Sequence, residues 1–243
     1  MATALQSDSR NILLRRLSTE DYARLAGSSE GFEGAQQDIL GMPGETSEFV
    51  HLPETGIASV MSSSGPRRLE VGMVGREGFV GLPVLLSDGI PSVASVVLMP
   101  GTFVRIPAGD FRAAVFASPA MLALVHRYLQ AYLTQVACTA FTNGIHNVEQ
   151  RLSRWLLMIS DRTERDELPL THELVAAMLG VRRPGITVAT HVLEGEHAIR
   201  AQRGRIRIVS RKRLRWMAGD SYGAAEAEYE RLIGVSSGPS LAA

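Results

Sequence analysis

The sequence predicts an α+β protein with three successive parts: an antiparallel β-domain, a long helix, and a unit of two short helices followed by a hairpin. Between Phe32 and Ile106, short apolar or alternating runs are separated by glycine- and proline-containing turns. From Pro119 the apolar residues recur with a helical period. We therefore expect parts at residues 1–118, 119–146 and 147–243.

The N-terminal part has the pattern of a small antiparallel barrel or roll. Turn signals such as Pro43-Gly44 and Pro100-Gly101 separate its candidate strands at fairly even spacing. The strand candidates are Glu48–His51, Ile57–Met61, Arg68–Val74, Ser92–Met99 and Phe103–Ile106. Before them, Thr19–Leu25 is a predicted helix that Ser18 can cap.

The long helix carries apolar residues at heptad-like spacings of three and four. They are Leu122, Val125, Leu129, Tyr132 and Val136, and the pattern continues to Thr139. Such a seam is compatible with a helix packed on its own domain and with a two-stranded dimer helix. We favour the dimer, because the seam precedes a unit of a kind that normally works in pairs.

A break follows at Asn143–Asn147, which we predict to be a hinge. Asn147 and Gln150 have the spacing of a capping box, so a new amphipathic helix is expected to begin there. After it, Thr171 can cap a helix that Gly180 ends, and Pro184 suits the start of a second helix. Two short helices joined by a tight turn are the helix-turn-helix geometry, in which the second helix enters the DNA major groove.

A hairpin and a strong positive charge follow the second helix. In the segment Ala198–Val209, Ile206 and Ile208 alternate with arginines, and Arg203-Gly204 is a plausible turn, so we predict a wing. The formal net charge of the protein is zero, yet Gly180–Arg215 holds ten basic and two acidic residues, a net +8. A basic segment of this kind indicates phosphate binding.

Double-stranded DNA is therefore the predicted partner. We expect Arg183 to contact base edges, since arginine can bond guanine O6 and N7 together. The full predicted DNA-binding set is Thr171, His172, Arg182, Arg183, Gly185, Thr187, Thr190, His191, Arg200, Arg203 and Arg205.

Residues Asn147 to about Met217 resemble the C-terminal domain of the CRP/FNR superfamily of transcription regulators. The matching stretches are VEQRLSRWLLMISDR, LTHELVAAMLGVRR, HVLEGEHAI and RGRIRIVSRKRL. The stretches EVGMVGREGFVGL and PGTFVRIPAGDF resemble the family's β-roll, which is cyclic-nucleotide-binding-like. The resemblance implies a homodimer on a two-fold operator, a signal sensed by the roll, and contact with RNA polymerase if the protein is an activator.

Two departures from the family pattern limit which of the family's properties can be expected of this protein. Leu82 and Ser92 stand where cyclic-nucleotide-binding members have a glutamate and an arginine, and neither can pair with a phosphate in that way. Cyclic nucleotide control is therefore disfavoured and the effector is unassigned. Pro184 and Gly185 replace a glutamate and a threonine after the leading arginine, so the operator cannot be copied from the familiar consensus.

Other functional classes find little support in the sequence. Cys138 is the single cysteine, and the six histidines lack tight metal-ligand spacing, so no metal site is predicted. Neither an enzyme motif nor a signal-peptide core nor a membrane-length apolar run is present, and we expect a cytoplasmic protein that is not an enzyme. The alternatives are a cyclic-nucleotide- or haem-responsive regulator of the same fold, and a scaffold that binds another polyanion.

Overall fold

The computed structural model describes residues 6–65, 67–163 and 165–234. The predicted C-terminal tail, residues 235–243, and the first five residues of the polar N-terminus lie outside these ranges. The chain divides into two compact units. One contains residues 1–60 and 73–130, and the other contains residues 61–72 and 131–243.

In the described residues of the N-terminal half, seven strands form two sheets, which confirms the predicted α+β class. They are β1 Glu30–Gly34, β2 Ile39–Gly41, β3 Phe49–Pro53, β4 Ile57–Ser64, β5 Arg67–Val74, β6 Ala94–Met99 and β7 Gly101–Pro107. The sheet orders are β1-β7-β3 and β2-β6-β4-β5. In the antiparallel β3–β7 pair, the completely buried Val50 lies opposite the completely buried Ile106.

Short helices accompany these strands. They are a 3-10 turn Gln6–Asp8, α1 Ile12–Arg16, α2 Thr19–Ala26, α3 Pro83–Leu86 and α4 Ala108–Ala117. The predicted cap of α2 is confirmed, because Ser18 Oγ accepts a hydrogen bond from the backbone nitrogen of Asp21. Helices α1, α3 and α4 were not predicted.

The long helix is confirmed as α5, Pro119–Ile145. It ends inside the predicted break, and α6, Val148–Thr163, begins just after it. The predicted capping box is present: Asn147 Oδ1 accepts from the nitrogen of Gln150 at 2.9 Å, and Gln150 Oε1 accepts from the nitrogen of Asn147 at 3.3 Å. Within the described ranges no single helix meets the length and hydropathy test for a membrane span; only α4 and α5, bent by 111°, meet it as a pair.

The rest of the chain builds a small helical core with a three-stranded sheet. Its elements are β8 Glu167–Leu168, α7 His172–Leu179, α8 Arg183–Gly195, β9 Ile199–Gln202, β10 Arg205–Ile208, α9 Arg211–Ala218, a 3-10 turn Gly219–Ser221 and α10 Ala224–Ile233. Strand β10 lies between β8 and β9. The sequence predicted the β9–β10 hairpin but not β8.

A buried carboxylate joins α9 to α6. Asp161 is almost completely buried and forms an ion pair with Arg211. The Tyr222 hydroxyl donates to the other carboxylate oxygen of Asp161 at 2.6 Å. Because a buried charge is stable only when it is paired and hydrogen-bonded, these contacts fix α9 on the helical core that carries the hairpin.

Candidate nucleic-acid interface

Helix α7 begins and ends at the residues that the sequence indicated. Thr171 Oγ1 accepts a 3.1 Å hydrogen bond from the nitrogen of Leu174, and Glu173 lies in the first turn. Gly180 ends the helix in the left-handed conformation, with φ 62°. The hydroxyl of Thr171 is therefore engaged in capping, although the residue is exposed.

Helix α8 begins at Arg183 with Pro184 in its first turn and buries one face. The completely buried residues Ile186, Ala189 and Leu193 repeat at spacings of three and four. Thr190 lies on the same buried face with 0% exposure, and its hydroxyl has no partner among the described residues. Our prediction that Thr190 contacts DNA is wrong, because its position in the helix turns it toward the core.

Two arginines and a histidine are exposed at or on this helix. Arg182 precedes it, Arg183 is its first residue, and His191 lies two turns further along. Gly185 has open space where a side chain would begin, so the backbone can be approached closely there. The first turn of α8 thus presents positive charge and an accessible backbone at the helix end that the macrodipole makes positive.

His172 and Thr187 link the two helices of the motif. The Nδ1 atom of His172 lies 3.2 Å from Thr187 Oγ1, and this hydroxyl also lies 3.3 Å from the carbonyl oxygen of Arg183. Burial, and then the charges of Arg183 and His191, lower the pKa of His172. A neutral imidazole is therefore favoured, which suits a positioning contact better than an ionic phosphate contact.

The hairpin has the geometry of a wing with a charged outer face. Gly204 turns the chain with φ 73°, and Ile206 and Ile208 are buried. On the exposed face, Arg200 and Arg207 are direct cross-strand partners. Neither has an ion-pair partner among the described residues.

Other wing arginines differ in their partners. Arg205 is exposed and pairs with Glu167 of β8 at 2.8 Å, whereas Arg203 lies exposed in the turn itself. Beyond the wing, Arg213 pairs with Glu196 at 3.1 Å. Among the described wing arginines, those without an ion-pair partner thus lie at the turn and on the Arg200–Arg207 face.

Sequence reasoning missed two exposed valines on α8. Val188 is 59% exposed and Val192 is 42% exposed, four residues apart. Val188 directly precedes the buried Ala189, and Val192 directly precedes the buried Leu193, so the helical phase already separated both valines from the buried row. Neither valine was assigned to a face from the sequence.

The predicted dimer seam lies mostly toward the protein's own core. Val125 is buried, and Leu122, Leu129, Tyr132 and Val136 are half-buried. A different row of α5 is exposed, which we call the exposed stripe: Ala123, His126, Gln130, Leu133, Ala137, Ala140 and Gly144. It repeats at spacings of three and four along the whole helix.

The other singled-out residues lie in ordinary surroundings. Leu82 is half-buried before α3, and Ser92 is exposed in a loop. Cys138 is a half-buried free thiol on α5, and burial is the main reason that its pKa is raised. A raised pKa gives little thiolate and therefore low reactivity.

Comparison with known proteins agrees with this geometry. Residues 150–217 match the Crp-like helix-turn-helix domain. A putative regulator of the CRP/FNR family from Eubacterium rectale superposes with a TM-score of 0.66 at 18% identity, over 85% of this chain and 97% of that one. TTHB099, a CRP family regulator from Thermus thermophilus, gives 0.66 at 19% identity over 82% and 99%. FixK2 from Bradyrhizobium japonicum gives 0.67 at 14% identity over 79% and 98%. No curated protein matches the sequence.

Proposed function

Because the chain has the CRP/FNR regulator fold and residues 150–217 form a Crp-like helix-turn-helix domain, we propose that it is a sequence-specific DNA-binding regulator that acts as a homodimer. Helix α8 enters the major groove, and the wing contacts the flanking phosphates. The protein is a regulator rather than an enzyme, and its second partner, if it activates, is RNA polymerase.

The observation that carries this proposal is the Arg200–Arg207 pair on the outer face of the wing. Like charges directly opposite each other on neighbouring strands destabilise a sheet. Neither arginine has a carboxylate partner among the described residues, so a ligand with negative charges would relieve the repulsion between them. The DNA backbone is such a ligand, and the helix-turn-helix on the same unit supplies the element that enters the groove.

A second copy is the proposed partner of the exposed stripe on α5. The stripe is built of small or apolar residues apart from His126 and Gln130, and it keeps a heptad-like spacing over 22 residues. Two such helices can pack closely with side chains interlocked. The dimer would bring two α8 helices to about 34 Å apart, one turn of DNA.

The signal is proposed to act through the N-terminal unit by changing the geometry at the α5–α6 junction. Leu82 and Ser92 lack the charges that a cyclic phosphate would require, which supports an effector other than a cyclic nucleotide. A two-state junction near Asn147 would alter the separation of the α8 helices.

Selection of bound duplexes from a random DNA pool tests the proposal. Purified full-length protein, with and without cell extract, should enrich a two-fold-symmetric motif with half-sites one turn apart. A double variant, Arg200→Gln with Arg207→Gln, should recover far less DNA at the same salt concentration. The control Arg231→Gln, which alters an arginine paired with Glu228 on α10, should behave as the wild type. No enrichment in either condition would contradict the proposed function.

A further inference from the structure

Helix α8 presents two exposed valines, Val188 and Val192, on an outer face that also carries polar side chains. Val188 is more than half exposed; Thr187 precedes it, and the exposed His191 follows it by three residues. An isopropyl group with 59% exposure contributes little to the packing of the free protein, and valine is only a moderate helix former. The exposure of Val188 therefore indicates a contact with a ligand, because the same face of α8 is the proposed DNA-binding surface.

The position of Val188 suits contact with base edges. It is the sixth residue of a 13-residue helix, and the N-terminal half of a recognition helix is the part that reaches the bases. At about 1.5 Å per residue, Val188 lies roughly 7.5 Å along the axis from Arg183, about two base steps. Val192, the tenth residue, lies a turn further from the helix start.

The major groove offers one apolar group to such a side chain. Donors and acceptors mark the edges of all four bases, whereas the C5-methyl group of thymine alone is apolar. A β-branched side chain also has little χ1 freedom on a helix, so its methyl groups are held in place before binding. A polar edge opposite Val188 would lose its hydration without gaining a hydrogen bond.

We propose that Val188 contacts the C5-methyl group of a thymine in each half-site and so specifies that base. This rests on the proposed function, since it requires α8 in the major groove. Arginine at the helix start and valine in its middle would then read two different properties of the operator, a pair of acceptors and a methyl group.

Replacing thymine by uracil tests the contact, because uracil keeps O4 and loses only the methyl group. The duplex selected by the full-length protein is synthesised with each thymine of the half-site changed in turn, at the symmetric positions together. For wild-type protein, uracil at one of these positions should weaken binding about fourfold per half-site. That factor corresponds to about 0.8 kcal/mol at 1.4 kcal/mol per tenfold change.

Two variants separate this contact from other causes. Val188→Ala should bind the thymine duplex about fourfold more weakly per half-site and should no longer distinguish it from the uracil duplex. The matched control Val192→Ala should retain the wild-type preference for the methyl group, and thermal unfolding checks that both variants fold. A preference that persists in Val188→Ala, or a wild-type protein indifferent to every methyl group, overturns this inference alone. Failure to enrich any duplex overturns the proposed function and this inference with it.

Discussion

The indole nitrogen of Trp155 on α6 donates a 2.8 Å hydrogen bond to a carboxylate oxygen of Glu70 on β5, across 85 residues of sequence. Both residues are buried, at 3% and 5% exposure. They belong to the same compact unit, in which residues 61–72 join residues 131–243. The tip of the β4–β5 hairpin is thus part of the unit that carries the helix-turn-helix.

Trp155→Phe should lower the free energy of unfolding by about 1.5–3 kcal/mol, because it removes a buried donor to a charged acceptor. Urea unfolding monitored by circular dichroism measures the change. Trp216 is the natural control, since it is 67% exposed, and Trp216→Phe should alter stability by less than about 0.5 kcal/mol. Equal effects of the two substitutions would show that the bond to Glu70 contributes little.

Substitution by alanine should lower the free energy of unfolding at Gly180 and raise it at Gly185. Gly180 has φ 62°, and a methyl group there would lie 2.8 Å from Leu69 Cδ1, so Gly180→Ala should destabilise by about 1–2 kcal/mol or more. Gly185 lies inside α8 with open space around it, and Gly185→Ala should stabilise by up to about 1 kcal/mol. Adding Leu69→Ala to Gly180→Ala separates the backbone strain from the clash. An unchanged midpoint for Gly180→Ala would contradict the left-handed helix end.

Because of His51, the free energy of unfolding should fall in weak acid. The ring of His51 lies 5.7 Å from that of Phe32, and burial first, then the charge of Arg105, lower its pKa to about 4. Between pH 6.5 and 4 the His51 imidazole is protonated in the unfolded chain but stays neutral in the folded chain. Stability present above pH 6.5 is therefore lost as the pH falls, by up to about 3 kcal/mol.

The His51 effect can be isolated by substitution. His51→Phe should flatten the dependence of unfolding free energy on pH between 6.5 and 4, whereas His191→Phe on the exposed face of α8 should not. Urea midpoints at half-unit pH steps provide the measurement. An identical slope in wild type and His51→Phe would show that other groups cause the acid sensitivity.

Features with local signals were predictable from the sequence. The cap at Thr171, the left-handed Gly180 and the turn at Gly204 each depend on the conformational preference of one residue type, so the helix-turn-helix and hairpin could be located. The bond between Trp155 and Glu70 had no such signal, because it joins residues far apart in the chain.

Two predictions depended on helix faces that spacing alone cannot distinguish. Helix α5 has two rows with spacings of three and four, and only the structure shows that the row of Leu129 is half-buried while that of Leu133 is exposed. Thr190 was expected outside because the inward face was assigned to apolar residues alone, yet threonine has nearly the shape of valine and fits the buried face of α8. Tertiary packing decided both cases.

Leu133→Glu should convert the proposed dimer to a monomer, since it places two charges against each other in the centre of the exposed stripe. Sedimentation velocity at micromolar concentration measures the change, and DNA affinity should fall with it. Leu86→Glu is a matched control, because Leu86 on α3 is 57% exposed and Leu133 is 53% exposed. A dimeric Leu133→Glu variant would mean that another surface holds the partner.

Arg203→Ala should weaken binding to every DNA sequence to a similar extent and reduce the slope of log affinity against log salt by about one per subunit. The reason is that Arg203 lies exposed in the wing turn beside Gly204, where a side chain reaches phosphates rather than base edges. Arg205→Ala is the comparison. Because Glu167 already pairs with Arg205, the loss of the Arg205 side chain should change the salt slope less than the loss of Arg203. An unchanged slope for Arg203→Ala would exclude the wing turn from the phosphate contacts and leave the Arg200–Arg207 face as the wing's DNA-binding surface.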